Sequence, residues 1–383
     1  MRPLRIAMIG QQGIPASHGG VERVVEEVSA RLVAAGHEVT VFNTIRDADR
    51  SLTEHRGIRI RYLPSTAGKH TGNLTLSALS ALVVAAGPYD VAHFHAIGPS
   101  MFTPICRLRP GMAVVTTLHG RDDQRAKWGG MARRILTVAA HISARAPHRV
   151  LVVSRALQDD MLASFGCEAL YVPNGVVEPA PDPTLSTGIL DRFGLEPRRF
   201  LLSVGRLVPE KAVDDAIRAF SGLNSDMRFV VVGGSSNTDD YVEQLRALAA
   251  QDPRVVLTGP VYGDDLEVLY RSAAGFVVPS RLEGMPLTFL EAAAHGLPVI
   301  ASDIPPNLEI VGDLGSGPGH RFAPVGDIIA LEHELSAFLA EPEVERHGAK
   351  ELREQVLRGY SWDTAAAELE RIYVELLDRR SRA

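Results

Sequence analysis

Short apolar runs that end in glycine or a polar residue alternate with helical patterns along most of the chain. The first two runs are Arg5–Gly10 and Glu38–Asn43, and apolar residues at helical spacing between them predict a helix from about Val21 to Ala35. Further strands are predicted at Ile58–Leu63, Asp90–His95, Ala113–His119, Arg149–Ser154 and Ala169–Pro173. This alternation predicts an α/β domain with a mostly parallel sheet covered by helices on both faces.

The pattern breaks at residues 178–197, a proline-rich segment without a strand or helix period over its first half. A second series of strands follows, at Phe200–Gly205, Arg228–Gly234, Val255–Gly259, Gly275–Ser280 and Pro298–Ser302. We therefore predict two doubly wound domains, residues 1–177 and 198–360, with a linker at 178–197. A last helix is predicted over residues 361–380, with Ser361 as its N-cap.

The segment RLEGMPLTFLEAAAHGL, residues 281–297, places two carboxylates around a predicted helix start. Because glycine favours loops and proline is tolerated in the first helical turn, Glu283 is expected on a loop and Glu291 just over one turn into the helix. The amides near Met285, Pro286 and Leu287 would then suit a phosphate group. The structural alternative is a core helix in which Glu283 caps the start and Glu291 forms a salt bridge.

A second motif, GRLVPEK, follows the first strand of the second series. Arg206 leaves the strand end and Lys211 lies five residues later. A diphosphate needs two positive charges that reach it from one side, which a guanidinium and an ammonium can supply. The alternative is that both side chains pair with Glu210, Asp214 or Asp215.

Composition and charge narrow the class of protein. The chain has 383 residues, 45% hydrophobic and 22% charged, as expected for a globular enzyme of two large domains. Its net charge of -6 argues against a general nucleic-acid partner. The two cysteines, Cys106 and Cys167, predict neither a disulfide framework nor a zinc site. The apolar run before Gly10 is too short for a signal peptide, so a cytoplasmic location is expected.

One local region is basic in this acidic chain. Between Arg121 and Arg149 lie seven Lys or Arg residues against two Asp residues. Such an excess suits anionic lipid headgroups at the inner face of a membrane, or an anionic acceptor. A solvated helix face is the structural alternative.

Taken together, these motifs resemble the retaining glycosyltransferases of the two-Rossmann GT-B architecture, family 4 in particular. The resemblance rests on GRLVPEK, on TGPVYGDDLEVLYRSAAGFVVPSRLEGMPLTFLEAAAHGLPVIAS and on GIPASHGGVE, and it covers nearly the whole chain. GIPASHGGVER, AHFHAIGP, HGRDDQRAKWG, VSRALQDDM and VPNGV are similar to the branch of bacterial cell-surface polysaccharide transferases, some of which transfer rhamnose. The family implies two domains facing across a cleft, with the C-terminal helix crossing back to the first domain.

The resemblance also implies a role for each candidate residue. His119 and Glu283 would face the transferred sugar as catalytic residues, and Glu291 would bind the ribose hydroxyls. The other implied donor-binding residues are Gly19, Gly20, Arg206, Lys211, Tyr262, Gly284, Met285, Pro286 and Leu287. The implied reaction moves a hexose from a nucleotide-diphosphate sugar to a hydroxyl of a small-molecule, oligosaccharide or lipid-linked acceptor. No metal or other cofactor is implied.

Two positions depart from the family pattern. Ala212 follows Lys211 where glycine is common, and Met285-Pro286 stands where a glycine is frequent. If the backbone at these points approaches the donor closely, both changes affect phosphate contact, and they leave the identity of the donor open.

Several other hypotheses remain at this point. His93 and His95 alternate on one strand face and could suggest a metal, but no further ligands stand at a suitable spacing, so a core or cleft-edge role is preferred. Asp47-Ala48-Asp49 mimics a metal-binding D-x-D but lies in a charged loop. The alternative functions are a nucleotide-sugar epimerase or hydrolase, a nicotinamide-dependent dehydrogenase and a non-catalytic nucleotide-sugar binder. The chain lacks the glycine fingerprint G-x-G-x-x-G that the dehydrogenase would need.

Overall fold

The chain divides into two compact units, Met1–Gly175 with Trp362–Ala383, and Val176–Ser361. The computed structural model describes residues 2–16, 19–45, 51–66, 71–121, 130–181, 186–236 and 238–381. Each unit is built on its own sheet. The prediction of two doubly wound α/β units is confirmed.

The first unit contains an eight-stranded sheet in the order β3-β4-β2-β1-β5-β6-β7-β8. Its strands are β1 Arg5–Ile9, β2 Glu38–Thr44, β3 Glu54–His55, β4 Ile58–Leu63, β5 Val91–His95, β6 Ala113–Leu118, β7 Arg149–Val152 and β8 Leu170–Tyr171. All neighbouring strands pair in parallel except β3 and β4, a short hairpin that the apolar pattern does not predict. The central strands β5 and β6 are wholly buried, and their polar residues His93, His95, Thr116 and Thr117 are buried with them.

Among the described residues of this unit, six helices connect the strands. They are α1 Gly20–Ala34, α2 Thr71–Ala86, α3 Ile97–Ser100, α4 Thr103–Arg107, α5 Gly130–Arg145 and α6 Arg155–Phe165. Helix α2 is buried along one face only, and Leu82 is 53% exposed. The buried face accepts Ser77 and Ser80 because each hydroxyl donates to the carbonyl four residues earlier, at 2.7 Å.

The second unit contains a six-stranded, wholly parallel sheet in the order β11-β10-β9-β12-β13-β14. Its strands are β9 Phe200–Val204, β10 Arg228–Val232, β11 Val255–Gly259, β12 Gly275–Val278, β13 Val299–Ser302 and β14 His320–Ala323. Its helices are α7 Gly188–Phe193, α8 Val213–Ser221, α9 Asp239–Ala249, α10 Gly263–Ser272, α11 Leu287–Ala294, α12 Pro305–Val311, α13 Ile328–Ala340 and α14 Pro342–Gly359. The segment predicted as a linker includes α7 and belongs to this unit.

The last helix, α15 (Trp362–Ser381), packs with the first unit. It contacts α1, and its Tyr373 is fully buried with the hydroxyl 2.6 Å from His93 Nδ1. The predicted return of the chain to the first domain is therefore confirmed. None of the described helices is both long and apolar enough to span a lipid bilayer.

Candidate active site

The two predicted phosphate-binding cations lie together at the carboxyl edge of the second sheet. Arg206 follows β9 after one glycine, and Lys211 ends a 3-10 turn, Pro209–Lys211. Both line one small pocket with Ser280 and with Thr288 in the first turn of α11. Because this edge is where parallel sheets bind ligands, the pocket is a candidate anion site.

Glu283 lies on the loop between β12 and α11, as the sequence predicts. Its Oε1 accepts hydrogen bonds from Lys211 Nζ at 2.5 Å and from Ser280 Oγ at 2.7 Å, and its side chain is 10% exposed. Lys211 therefore pairs with a carboxylate 72 residues away. Sequence reasoning missed Ser280, which stood out only as the end of a strand.

The two sequence motifs are also joined through the backbone. The amide of Arg281 donates to the carbonyl of Glu210 at 2.8 Å, and the Arg281 guanidinium donates to Asp215 at 2.6 Å. These contacts hold the Arg206–Lys211 loop against the loop that carries Glu283. Nothing in the spacing of the two motifs indicated this direct link.

The residue after Lys211 has a special backbone conformation. Ala212 has φ 48° and ψ 37°, in the left-handed region, and its side chain is fully buried. A glycine adopts this conformation without strain, which explains why one would suit the position. The turn forms with alanine nevertheless, and it places Lys211 directly before α8.

The start of α11 supplies backbone amides beside this pocket. The helix begins at Leu287 after Pro286, no side chain caps it, and Met285 and Pro286 are buried while Gly284 and Leu287 are partly exposed. The first amides of a helix have no acceptor within the helix. Proline has no amide hydrogen, so the expectation that Pro286 donates a hydrogen bond is wrong. The backbone donors of this segment are the amides of Gly284, Met285 and Leu287.

Glu291 lies just over one turn into α11, as predicted, and is partly exposed. Its Oε2 accepts a hydrogen bond from the Tyr270 hydroxyl at 3.0 Å. Burial and the neighbouring Glu291 charge raise the pKa of Tyr270 well above its usual value, so the phenol stays protonated and donates. Sequence reasoning missed Tyr270 because it reads as a core aromatic of α10. Tyr262 precedes α10 and is half-exposed.

His119 follows β6 and is partly buried. Its Nε2 lies 3.0 Å from His95 Nδ1, and the two rings stack with centroids 5.3 Å apart. Loss of hydration lowers the pKa of His119 to about 4, so the ring is neutral at neutral pH.

His93 and His95 lie on one face of β5, with ring centroids 4.3 Å apart. His93 bonds Tyr373 through Nδ1 and Thr117 through Nε2, at 2.6 and 2.7 Å. Burial lowers the pKa of His93 to about 3 and that of His95 well below its usual value. The described residues contain no group of three or more His, Cys, Asp or Glu side chains placed to hold a metal ion. Asp47-Ala48-Asp49 lies outside them.

Gly19 and Gly20 stand at the start of α1. Gly19 has φ 119°, and a Cβ built there would lie 2.5 Å from Glu22 Oε2. The loop before the helix is fixed by two carboxylates, since Gln12 N donates to Glu22 and Ala16 N donates to Glu26. The backbone conformation of Gly19 and its contact with Glu22 are therefore sufficient to favour glycine at this position.

The basic residues between Arg121 and Arg149 lie in different environments. Arg121 forms an ion pair with Asp160 and lies over the Phe165 ring, whereas Arg134 and Arg145 of α5 are exposed. The same helix exposes Ile135 and Val138, at 44% and 57%, and Ile142 continues this face. The exposed face of α5 therefore carries apolar residues as well as basic ones. Residues 122–129 lie outside the described part of the chain.

Comparison with known proteins identifies the family of this chain. Residues 18–178 match the family model "Glycosyltransferase Family 4", and residues 191–355 match "Glycosyl transferases group 1". A D-inositol 3-phosphate glycosyltransferase of Acidothermus cellulolyticus is 30% identical, over 79% of this chain and 76% of that protein. The GDP-mannose-dependent alpha-(1-6)-phosphatidylinositol monomannoside mannosyltransferase of Mycobacterium tuberculosis is 28% identical, over 93% and 94% of the two chains.

Solved structures share the fold. Sucrose-phosphate synthase from Thermosynechococcus elongatus is 23% identical, with a TM-score of 0.81 over 98% of this chain and 100% of that one. Anabaena HepE in complex with UDP-glucose is 17% identical, with a TM-score of 0.79 over 97% and 100%. The fold is the GT-B fold, and the chain belongs to the group 1 glycosyltransferases, with a first half of the family 4 type.

Proposed function

We propose that this glycosyltransferase moves a hexose from a nucleotide-diphosphate sugar to an acceptor hydroxyl, with retention of configuration and without a metal ion. The observation that carries the proposal is the pocket in which Arg206 and Lys211 meet at the carboxyl edge of the second sheet, beside the start of α11. Two positive charges and a helix N-terminus match the charge of a diphosphate. The solved HepE complex with UDP-glucose supports this class of donor.

The charges suit the departure of the diphosphate. As the bond between the anomeric carbon and the diphosphate oxygen breaks, negative charge grows on the leaving group and the sugar becomes oxocarbenium-like. Arg206, Lys211 and the amides of α11 would stabilise that negative charge. Ser280 would keep Glu283 in place when Lys211 turns toward the phosphate, since both hydrogen-bond the same oxygen.

Retention follows if the acceptor attacks the face from which the diphosphate leaves. The acceptor oxygen bonds to the anomeric carbon, and its hydroxyl proton passes to the leaving diphosphate. In this mechanism neither Glu283 nor His119 forms a covalent bond to the sugar. Glu283 would contact the sugar, Glu291 would bind the ribose, and the backbone at Tyr262 would lie near the base.

The physiological role that we propose is synthesis of a cell-surface polysaccharide or glycolipid. The motifs of the first domain support the polysaccharide branch, and the M. tuberculosis relative is named for a phosphatidylinositol monomannoside acceptor. Rhamnose remains one candidate for the transferred sugar.

The donor class is tested by thermal shift with UDP, GDP, ADP and their sugars, since a ligand at 100 times its dissociation constant stabilises a protein by about 2.7 kcal/mol. The donor that binds is then incubated with candidate acceptors, and the anomeric configuration of the product is read by NMR. Activity that persists in excess EDTA supports metal independence. Inversion, or loss of activity in EDTA that added Mg²⁺ restores, would contradict the corresponding part of the proposal.

The alternative, an epimerase or hydrolase of nucleotide sugars, is separated by the same assay. Such an enzyme consumes its donor in the absence of any acceptor. We expect donor consumption to require the acceptor.

We further propose that α5 brings the enzyme to the inner face of a membrane. The helix presents an apolar stripe, Ile135, Val138 and Ile142, with exposed Arg134 and Arg145 beside it. Such a combination favours binding at the interface of anionic lipid bilayers. Pro104 of α4 and Ala146 extend the apolar surface around Val138 and Ile142.

Vesicle binding tests this surface. The unsubstituted chain should sediment with vesicles that contain phosphatidylglycerol, and less with vesicles of phosphatidylcholine alone. The double change Ile135→Ser and Val138→Ser should reduce binding to the anionic vesicles. Ile329→Ser is the matched control, since Ile329 is an 80% exposed apolar residue of the second unit. Equal binding of both variants would exclude α5 as the contact.

A further inference from the structure

Tyr270 connects α10 to the carboxylate that the proposed function assigns to the ribose. The residue is 3% exposed, and its hydroxyl lies 3.0 Å from Glu291 Oε2. An ionised carboxylate can only accept hydrogen bonds, so the phenol is the donor. This contact uses one oxygen of Glu291 inside the second unit.

The Tyr270 ring packs against two other rings. His295 stacks on it with centroids 4.9 Å apart and an interplanar angle of 14°, and Phe276 lies at 5.6 Å and 29°. A rotation of Tyr270 would have to displace both neighbours. Its hydroxyl is therefore a donor with a fixed direction.

His295 is itself fixed at both ring nitrogens. Its Nδ1 donates to the backbone carbonyl of Glu291 at 2.7 Å, and its Nε2 lies 3.0 Å from Glu267 Oε2. Glu267 in turn bonds Arg271 at 2.6 Å. This network links α10 to α11 and contacts Glu291 twice. Tyr270 bonds its side chain, and His295 bonds its backbone carbonyl.

We propose that Tyr270 is a positioning residue that aligns the Glu291 carboxylate with the ribose hydroxyls of the donor nucleotide. The inference rests on the proposed function, in which Glu291 binds the ribose. A glutamate on a helix surface has several rotamers, and ordering it when the ligand binds costs conformational entropy. A carboxylate already held by a fixed donor avoids most of that cost.

The test compares nucleotides with and without ribose hydroxyls. Dissociation constants are measured by calorimetry for UDP, GDP and ADP, and then for the 2′,3′-dideoxy form of the nucleotide that binds most tightly. For the unsubstituted chain we expect the dideoxy form to bind at least about tenfold more weakly, as for loss of a hydrogen bond to a charged group. In Tyr270→Phe, the ribose nucleotide should lose about tenfold in affinity while the dideoxy form changes little, because the misaligned carboxylate no longer distinguishes them.

Tyr241→Phe is the matched control. Tyr241 is also a buried tyrosine of the second unit, and its hydroxyl donates to the Asp214 carboxylate at 2.7 Å. The variant loses an equivalent hydrogen bond, but we expect it to keep the full dideoxy penalty. A merely structural role of Tyr270 would make the two phenylalanine variants behave alike.

A double-mutant cycle isolates the route through Glu291. If Tyr270 acts only through this carboxylate, Tyr270→Phe adds no further loss of ribose-nucleotide affinity to Glu291→Gln. Should Tyr270→Phe fail to fold by circular dichroism, the penalty is measured in His295→Asn, which removes the stacked ring and should also reduce it.

The outcomes separate this inference from the proposed function. If the unsubstituted chain binds none of the three nucleotides, the proposed function fails and the inference fails with it. If it binds one of them and Tyr270→Phe, or His295→Asn in its place, retains an undiminished dideoxy penalty, only the positioning role of Tyr270 is overturned.

Discussion

Lys211 is the residue on which the proposed chemistry depends most directly, because its ammonium lies at the diphosphate pocket and is held by Glu283 at 2.5 Å. Lys211→Ala should lower kcat by about 10²–10³-fold, the usual effect of losing one stabilising charge in a transition state. The fold should persist, which circular dichroism checks. Steady-state kinetics with the identified donor measure the effect.

Arg246→Ala is the control for this change. Arg246 pairs with Glu243 at 2.5 Å, but both side chains are about two-thirds exposed, at 64% and 68%, so the pair contributes little. Its kcat should remain within about twofold of the unsubstituted value. Equal kinetics for Lys211→Ala and Arg246→Ala would remove Lys211 from the mechanism.

The buried His93 should make the stability of the folded protein depend on pH. Its pKa is about 3 in the folded protein because of burial, and a free histidine has a pKa of about 6.5. Since the unfolded chain binds the proton and the folded chain does not, stability falls as the pH decreases below 6.5. Between pH 7 and pH 5 this residue alone should cost about 2 kcal/mol.

His93→Gln should therefore be less stable at pH 7, where it loses buried hydrogen bonds, but it should lose about 2 kcal/mol less on acidification to pH 5. Urea unfolding at pH 7 and pH 5, followed by circular dichroism, measures the free energy of unfolding of both proteins. An equal loss in the variant and the unsubstituted chain would show that His93 is not the proton acceptor.

At the scale of elements, the ends of β9 and β10 approach so closely that a side chain does not fit. A Cβ built on Gly233 would lie 1.8 Å from the carbonyl oxygen of Gly205, directly before Arg206. Gly233→Ala should destabilise the second unit by about 3 kcal/mol, since two backbone segments would have to separate.

Gly259→Ala is the comparison, because Gly259 has φ 74° at the end of β11 but open space around its Cβ position. It should cost only about 1 kcal/mol, from backbone strain alone. Thermal unfolding followed by circular dichroism measures both variants. Similar melting temperatures would show that the β9–β10 edge relaxes easily.

Helices and strands were predictable where the spacing of apolar residues stayed regular, whereas the contacts between these elements were not. Apolar strands and the 3.6-residue helices of both units follow from the sequence, whereas the hairpin β3–β4 and the helix α7 do not stand out in segments rich in polar residues or proline. The position of Glu283 on a loop followed from Gly284 and Pro286. Its bond to Lys211, and the bond of Tyr270 to Glu291, depend on how α8, α10 and α11 pack on the sheet, which local spacing does not encode.

At the scale of the whole molecule, the chain completes its first unit with its last helix. Tyr373 of α15 bonds the buried His93, and Glu370 of α15 lies 3.2 Å from His37 Nε2. Trp362, Leu369 and Ile372 of the same helix are also buried. The first unit therefore cannot bury its full core until the second unit has been synthesised.

Removal of residues 362–383 should accordingly unfold or greatly weaken the first unit while the second unit keeps its fold, because the lost apolar residues each contribute about 1.5–3 kcal/mol when buried. Limited proteolysis with mass spectrometry distinguishes the two units: cleavage should spread through residues 1–175 and spare the sheet of residues 200–323. A chain that lacks only residues 382 and 383 serves as the control and should resist proteolysis like the full chain. A first unit that resists the protease as before would show that α15 is dispensable for its stability. We expect the shortened chain still to bind the nucleoside diphosphate, since it would retain Arg206, Lys211, Tyr270 and Glu291.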